Sequence, residues 1–165
     1  MKPKMTTFGA ELDQEFMGHA LDEARCAFQE GEVPIGAVLV NAQGEIIARA
    51  HNKVEQQYTQ LAHAECQVIT MAGQLQRDWR LEDCFVYVTL EPCAMCMYAL
   101  VLSRVAGVVY GASSPLFGYQ LDKDMALWVY NRGSLRIISD VRAQESAELL
   151  KQFFIQNRKK ETHDE

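Results

Sequence analysis

Between residues 13 and 30 the apolar residues Phe16, Met17, Ala20, Leu21, Ala24, Ala27 and Phe28 recur three and four positions apart. That is the spacing of one face of an α-helix. Gly31 can cap its C-terminus, and Pro34 forbids continuation. Two short apolar runs follow, over 35–40 and 46–50, separated by Asn41-Ala42-Gln43-Gly44; they predict a β-hairpin. Helical spacing returns over 62–75. Residues 85–89 are dense in β-branched and aromatic side chains and predict a strand. Pro92 then opens a predicted helix to about residue 102, because a proline's missing N–H has no intrahelical partner in a first turn. Further strands are predicted over 105–110, ended by Gly111, and over 135–138. A short helix is predicted over 124–130 and a last one over 143–157. The remaining segments are two polar termini and a loop over 113–123.

Strands and helices alternate through the middle of the chain. This implies an α/β fold with a partly parallel sheet and helices on both faces. The connection from Thr89 to Cys93 leaves the carboxyl end of a strand, where open α/β sheets place their sites. At 165 residues, 48% hydrophobic and 23% charged, the chain is read as a single domain over 1–165. The two N-terminal lysines are followed by no apolar h-region, and no apolar run reaches the roughly 18 residues of a membrane span. Five cysteines without a secretory signal argue for a reducing cytoplasm rather than a disulfide framework. Cys26, Cys66 and Cys84 lie in mostly apolar stretches and are expected as buried core thiols.

The chemistry lies in two short segments, His63-Ala64-Glu65 and Pro92-Cys93-Ala94-Met95-Cys96. Cys93 and Cys96, three apart in a first helical turn, place two sulfurs on one face. The partial positive charge of the helix N-terminus favours their thiolates. One imidazole and two thiolates leave a fourth tetrahedral position open, which marks a catalytic rather than a structural zinc site, one ion per chain. Glu65 remains as an unliganded acid/base, able to move protons between an activated water and a substrate. A C-x-x-C alone would also fit a redox pair. A closed structural site would need a fourth ligand, for which Cys66 and Cys84 are the candidates.

H-x-E…P-C-x-x-C is the established signature of the zinc nucleobase deaminases. Beyond that motif, the chain resembles the bacterial tRNA-specific adenosine deaminases of the cytidine/deoxycytidylate deaminase-like zinc superfamily. The likeness runs from about Phe16 to Lys160. It includes Val33-Pro34-Ile35-Gly36-Ala37-Val38, Ala50-His51-Asn52, Thr89-Leu90-Glu91-Pro92-Cys93-Ala94-Met95-Cys96 and Val108-Val109-Tyr110-Gly111. It ends with Phe153-Phe154 followed by Arg158-Lys159-Lys160. The resemblance implies a three-layer α/β/α fold with a central mixed five-stranded sheet. It implies zinc on His63, Cys93 and Cys96, with Glu65 catalytic. It also implies that Asn52, Val33 and Ala64 meet the base, and that Phe154 and Arg158 meet RNA from a C-terminal helix over about 143–160. The implied reaction is hydrolytic deamination of adenosine to inosine at the first anticodon position of a tRNA anticodon stem-loop. The implied assembly is a cytoplasmic homodimer, for which Met95, Met97, Tyr98 and Leu100 offer apolar surface. One of Phe153 and Phe154 is expected to face the core and the other to be available for stacking.

A net charge of −6 sits awkwardly with an RNA partner, unless a local basic edge such as Lys151 and Arg158-Lys159-Lys160 faces the phosphates. The chain departs from the family at Thr59-Gln60-Leu61-Ala62, where D-P-T-A is frequent. It departs again at 113–120, where a glycine-rich polar loop is usual, and at Tyr98, where glycine is usual. Two other readings stay open at this point. One is a deaminase of a free nucleobase or nucleoside, of guanine or cytosine type. The other is a non-catalytic, zinc-stabilised RNA-binding module.

Overall fold

The computed structural model describes residues 8–122 and 135–161. Helix α1 (Ala10–Gln29) buries Phe16, Met17, Ala20, Leu21, Ala24 and Ala27, the stripe expected from the sequence. It ends in a Schellman turn. The Glu32 N–H donates to the Ala27 carbonyl at 2.9 Å and the Gly31 N–H to the Phe28 carbonyl at 3.2 Å, with Gly31 at φ +81°. Strands β1 (Gly36–Val40) and β2 (Ile46–His51) form the antiparallel hairpin. A four-residue helix α2 (Val54–Gln57) and a 3₁₀ turn (Gln60–Ala62) lead into α3 (Ala64–Gln76). Then come β3 (Phe85–Leu90), α4 (Ala94–Leu102), β4 (Gly107–Ala112), a 3₁₀ turn (Tyr119–Asp122), β5 (Arg136–Ile138) and α5 (Ala143–Glu161).

The sheet order is β2-β1-β3-β4-β5. β1 runs antiparallel to both β2 and β3, whereas β3–β4 and β4–β5 are parallel, which gives the expected mixed five-stranded sheet. Alternate residues of the central strands feed two cores. Ala37, Leu39, Val86, Val88, Val108 and Tyr110 meet Val68 and Ala72 of α3 and Met97 and Leu100 of α4 on one face. Val38, Val40, Tyr87 and Val109 meet Phe16, Met17, Ala20 and Leu21 of α1 on the other. Period-two alternation places successive strand residues on opposite faces, so a sheet covered on both sides needs apolar residues at nearly every position. All five residues of β1 are accordingly buried. α5 lies against β4 and α1, with Phe153 edge-on to Phe28 at 5.6 Å.

Several expectations need correction. Pro92 does not stand in the first turn of α4; Cys93 is the N-cap, at φ −70° and ψ 168°, and Pro92 precedes it. β4 does not stop at Gly111 but runs to Ala112, because Leu90 of β3 continues the parallel pairing opposite it. Cys26 is exposed and Cys66 half-buried, and of the three supposed core thiols only Cys84 is buried. The α5 helix runs four residues past the end expected from its periodicity, close to the 143–160 that the resemblance implies. The helix expected over 124–130 lies outside the described residues. Among the described residues no helix is long and apolar enough to cross a membrane.

Candidate active site and metal centre

Two helix N-termini meet at the carboxyl end of β3. His63 is the N-cap of α3 and Cys93 the N-cap of α4; neither side chain caps its own helix. Both are therefore free to point at each other. His63 Nδ1 lies 3.3 Å from Cys96 Sγ and 3.7 Å from Cys93 Sγ. The three donor atoms all lie within 4.8 Å of one another. A tetrahedral zinc with ordinary bond lengths would set an N–S edge of about 3.6 Å, so the donor set fits that metal in both chemistry and span.

The electrostatics suit anionic sulfur. The Cys93 thiol is pushed down to about 4, first by its hydrogen bond with Cys96 and then by His63. His63 is raised, chiefly by the same Cys93 contact. Cys96 is held far above the ordinary thiol range by hydrogen bonds to Cys66 and Cys93 and by burial.

Glu65 stands in the first turn of α3, 4% exposed. Burial raises its carboxyl to about 7. It is a carboxyl near neutrality beside three metal donors, the arrangement that proton transfer at neutral pH requires. Cys66 Sγ sits 3.8 Å from Cys96 Sγ yet outside the three-donor group. Cys84 is buried just before β3, at the opposite end of that strand from Cys93. Neither completes a four-ligand closed site.

Asn52, which follows β2, is 4% exposed and close to this centre through the backbone. Its neighbour Lys53 donates from its N–H to the Ala62 carbonyl at 3.0 Å. The Gln67 amide reaches the His51 carbonyl at 2.6 Å and the Ala62 carbonyl at 2.9 Å. Ala62 immediately precedes His63. Val33 is half-buried and Ala64 fully buried, the latter as the first residue of α3. Phe153 is 5% exposed and Phe154 49%, so one ring faces the core and the other is accessible. Arg158 is exposed on α5.

Sequence reasoning missed two buried carboxylates that border the candidate site residues, Glu32 and Glu91. Glu32 accepts from Asn52 and from two N–H groups of α2. Glu91 accepts from the Ser114 N–H at 2.9 Å and the Gln120 N–H at 3.3 Å, and so fastens the 113–120 loop beside Cys93. The Tyr119 N–H donates to the Pro92 carbonyl at 2.8 Å, and Gly118 bridges Cys93, packed so closely on Glu91 that a Cβ would overlap its carboxylate. Glu32 and Glu91 do stand in the quoted motifs, but only the folded chain brings their partners to them. A groove of about 700 Å³ lined by Arg77, Trp79, Arg80 and Ser103 lies at the far end of α3 from His63 and holds none of these groups.

Comparison with known proteins matches residues 10–112 to the family described as the cytidine and deoxycytidylate deaminase zinc-binding region. The tRNA-specific adenosine deaminase of Bacillus subtilis is 46% identical over 150 residues, covering 90% of this chain and 92% of that one. A solved structure from biochemical and structural studies of A-to-I editing by tRNA:A34 deaminases at the wobble position of transfer RNA superposes with a TM-score of 0.73 at 38% identity. It covers 82% of this chain and 98% of that one. The X-ray structure of guanine deaminase from Bacillus subtilis gives a TM-score of 0.60 at 30% identity, covering 67% of this chain and 74% of that one.

Proposed function

This chain belongs to the cytidine and deoxycytidylate deaminase zinc-binding family, and from that premise we propose that it converts adenosine to inosine at the first anticodon position of a tRNA. It is a zinc-dependent hydrolytic deaminase. The observation that carries the choice of substrate is the extent of the likeness to a tRNA-specific adenosine deaminase. A match of 150 residues cannot fit within residues 10–112, so it extends into the part of the chain that includes α5.

His63, Cys93 and Cys96 would hold the zinc, which would supply a water of lowered pKa as the attacking nucleophile. Glu65 accepts a proton as that water adds to C6 of the adenine. It delivers that proton to the ring nitrogen, then takes the proton of the new C6 hydroxyl and passes it to the departing amine, so water enters and ammonia leaves. Burial at 4% exposure keeps its carboxyl close to neutrality and ready to move a proton in either direction. Asn52, Val33 and Ala64 form the pocket of the extruded base, and a loop base costs less to extrude than a stacked duplex base. Exposed Phe154 offers a stacking face and Arg158 a charge for the anticodon stem-loop.

The protein acts in the cytoplasm as a homodimer. The apolar residues named for that role divide: Met97 and Leu100 are core, Met95 is half-buried and Tyr98 is 36% exposed. Met71 and Leu75 on α3 and Leu102 on α4 are exposed as well, and these two helices pack together. Such paired apolar stripes suit a second copy. Sedimentation that finds only monomer at micromolar concentration rejects the dimer.

The likeness to guanine deaminase supports a second reading, deamination of a free base. One experiment separates the two. The protein is incubated with an anticodon stem-loop bearing adenosine at its first anticodon position, and separately with free adenine, guanine and cytosine. Inosine formed in the stem-loop alone is the expected result. Turnover of a free base with an inert stem-loop overturns it.

A further inference from the structure

We propose that Glu32 is the positioning residue for Asn52. An acceptor-only carboxylate fixes which way round the Asn52 amide lies, and so which of its atoms the bound nucleotide meets. This rests on the proposed contact between Asn52 and the nucleotide.

Glu32 is 1% exposed. Burying a carboxylate is costly unless its oxygens are satisfied. The partners of Glu32 are three N–H groups, with no cation among the described residues. Oε1 accepts from the Gln56 N–H at 2.8 Å, and Oε2 accepts from the Glu55 N–H at 3.2 Å and from Asn52 Nδ2 at 3.3 Å. The two backbone contacts serve as a remote cap for the first turn of α2, whose own N-cap, Lys53, supplies no side-chain bond. Capping by itself needs only an acceptor at each of those two N–H groups. The third contact has a property that capping does not need. A carboxylate can only accept, so it selects the NH₂ end of the amide. Turned over, Asn52 would set its own oxygen against Oε2.

The result is visible at the other end of the same amide. Asn52 is 4% exposed, yet its Oδ1 has no hydrogen-bond partner. Among the described residues only one other buried side-chain atom, Ser146 Oγ, shares that condition. Buried acceptors are normally satisfied, so an orphan held in one orientation is an acceptor kept for a ligand donor. The ligand class is a nucleotide that presents an N–H or O–H there.

Both ends of the device are anchored in the backbone. The Schellman turn at the end of α1 sets Glu32 through its N–H to Ala27. The Asn52 N–H donates to the Ile35 carbonyl at 2.9 Å. Glu32 and Ile35 flank Val33 and Pro34, so the segment that supplies one pocket residue also orients another. On the far side, Lys53 is tied to Ala62, next to His63.

The test is a double-mutant cycle on the zinc-loaded protein with the adenosine stem-loop. Its variants are Glu32→Gln, Asn52→Ala and the two combined, with zinc content and melting temperature followed in parallel. Glu32→Gln keeps the shape but lets the Asn52 amide turn over. It is expected to lower kcat/KM roughly tenfold, the order of one misdirected hydrogen bond. Asn52→Ala is expected to lose at least as much. In the Asn52→Ala background, Glu32→Gln should cost nothing further, because there is no amide left to orient. Glu32→Asp keeps an acceptor-only group and is expected to be milder than Glu32→Gln, a ranking that stands even if Glu32→Gln lowers the melting temperature. Equal losses from Glu32→Gln with and without the Asn52 side chain would reduce Glu32 to a cap and overturn the inference, as would wild-type activity in Glu32→Gln. If Asn52→Ala alone retains full activity, the failure lies in the reading of Asn52 itself.

Discussion

A carboxyl as buried as that of Glu65 is not there for stability. The unfolded group ionises near 4.5 and the folded one near 7 in the metal-free protein. Between those values the folded state keeps a proton that the unfolded state has released, so stability falls as the pH rises and the full penalty is present above about 7. Glu65→Gln should therefore raise the melting temperature of chelator-treated protein at pH 8 and barely change it near pH 5. With zinc bound, the same variant should keep one metal per chain and lose turnover by roughly 10²–10⁴-fold, measured as inosine formed in the stem-loop. A variant that is neither more stable without metal at pH 8 nor impaired with it would remove Glu65 from its proton-transfer role. The three donors that the fold brings together, His63, Cys93 and Cys96, are legible in the sequence because their types and spacing match a chemical task. Cys26 reads as core from its apolar neighbours, although it falls off the 16, 17, 20, 21, 24, 27 series that defines the buried stripe of α1. Glu32 is not legible at all as a functional residue, because its meaning comes from Asn52, twenty positions away.

At the scale of elements, β1 explains a constraint on the sheet. A Cβ on Gly36 would overlap the Ala20 carbonyl oxygen and the Ala24 amide nitrogen, because α1 crosses the strand at backbone contact. Those atoms belong to a helix and cannot give way as a side-chain tip can. Gly36→Ala is expected to destabilise by about 1–3 kcal/mol. Denaturant unfolding reads this directly, and an unchanged midpoint would mean that α1 sits further from the sheet. Long periodic elements such as α1, α3 and α5 can be read from the chain because each buries a stripe. α2 cannot, since four residues contain no full period and its first-turn N–H groups are satisfied from Glu32. The start of α4 is only approximately legible. Pro92 is compatible with a first turn, but the extended backbone of Cys93 makes the cysteine the cap and leaves the proline outside.

Across the whole molecule, strand–helix alternation is enough to predict layers on both faces. It does not contain the order β2-β1-β3-β4-β5, which depends on pairings between distant segments. The net charge of −6 sets the conditions for RNA binding, because attraction must come from a small edge set against a repulsive background. Raising salt from about 50 to 200 mM should weaken stem-loop binding roughly tenfold, and Arg158→Ala should lower the salt slope by about 0.7. Fluorescence anisotropy over a salt series measures both, and salt-insensitive binding would reject α5 as the phosphate-facing edge.

The convergence of the α3 and α4 N-termini has a consequence for the metal as well as for the reaction. His63 and Cys93 lie thirty positions apart, so an ion shared between them closes a chain loop much as a covalent cross-link would. Closing a loop of that length removes conformational freedom from the unfolded chain. Occupancy should accordingly be recorded in amide hydrogen exchange. Chelation should speed exchange in the first turns of α3 and α4 and leave the β1–β2 hairpin unchanged, so that the ion that makes the protein a catalyst also acts as its clasp.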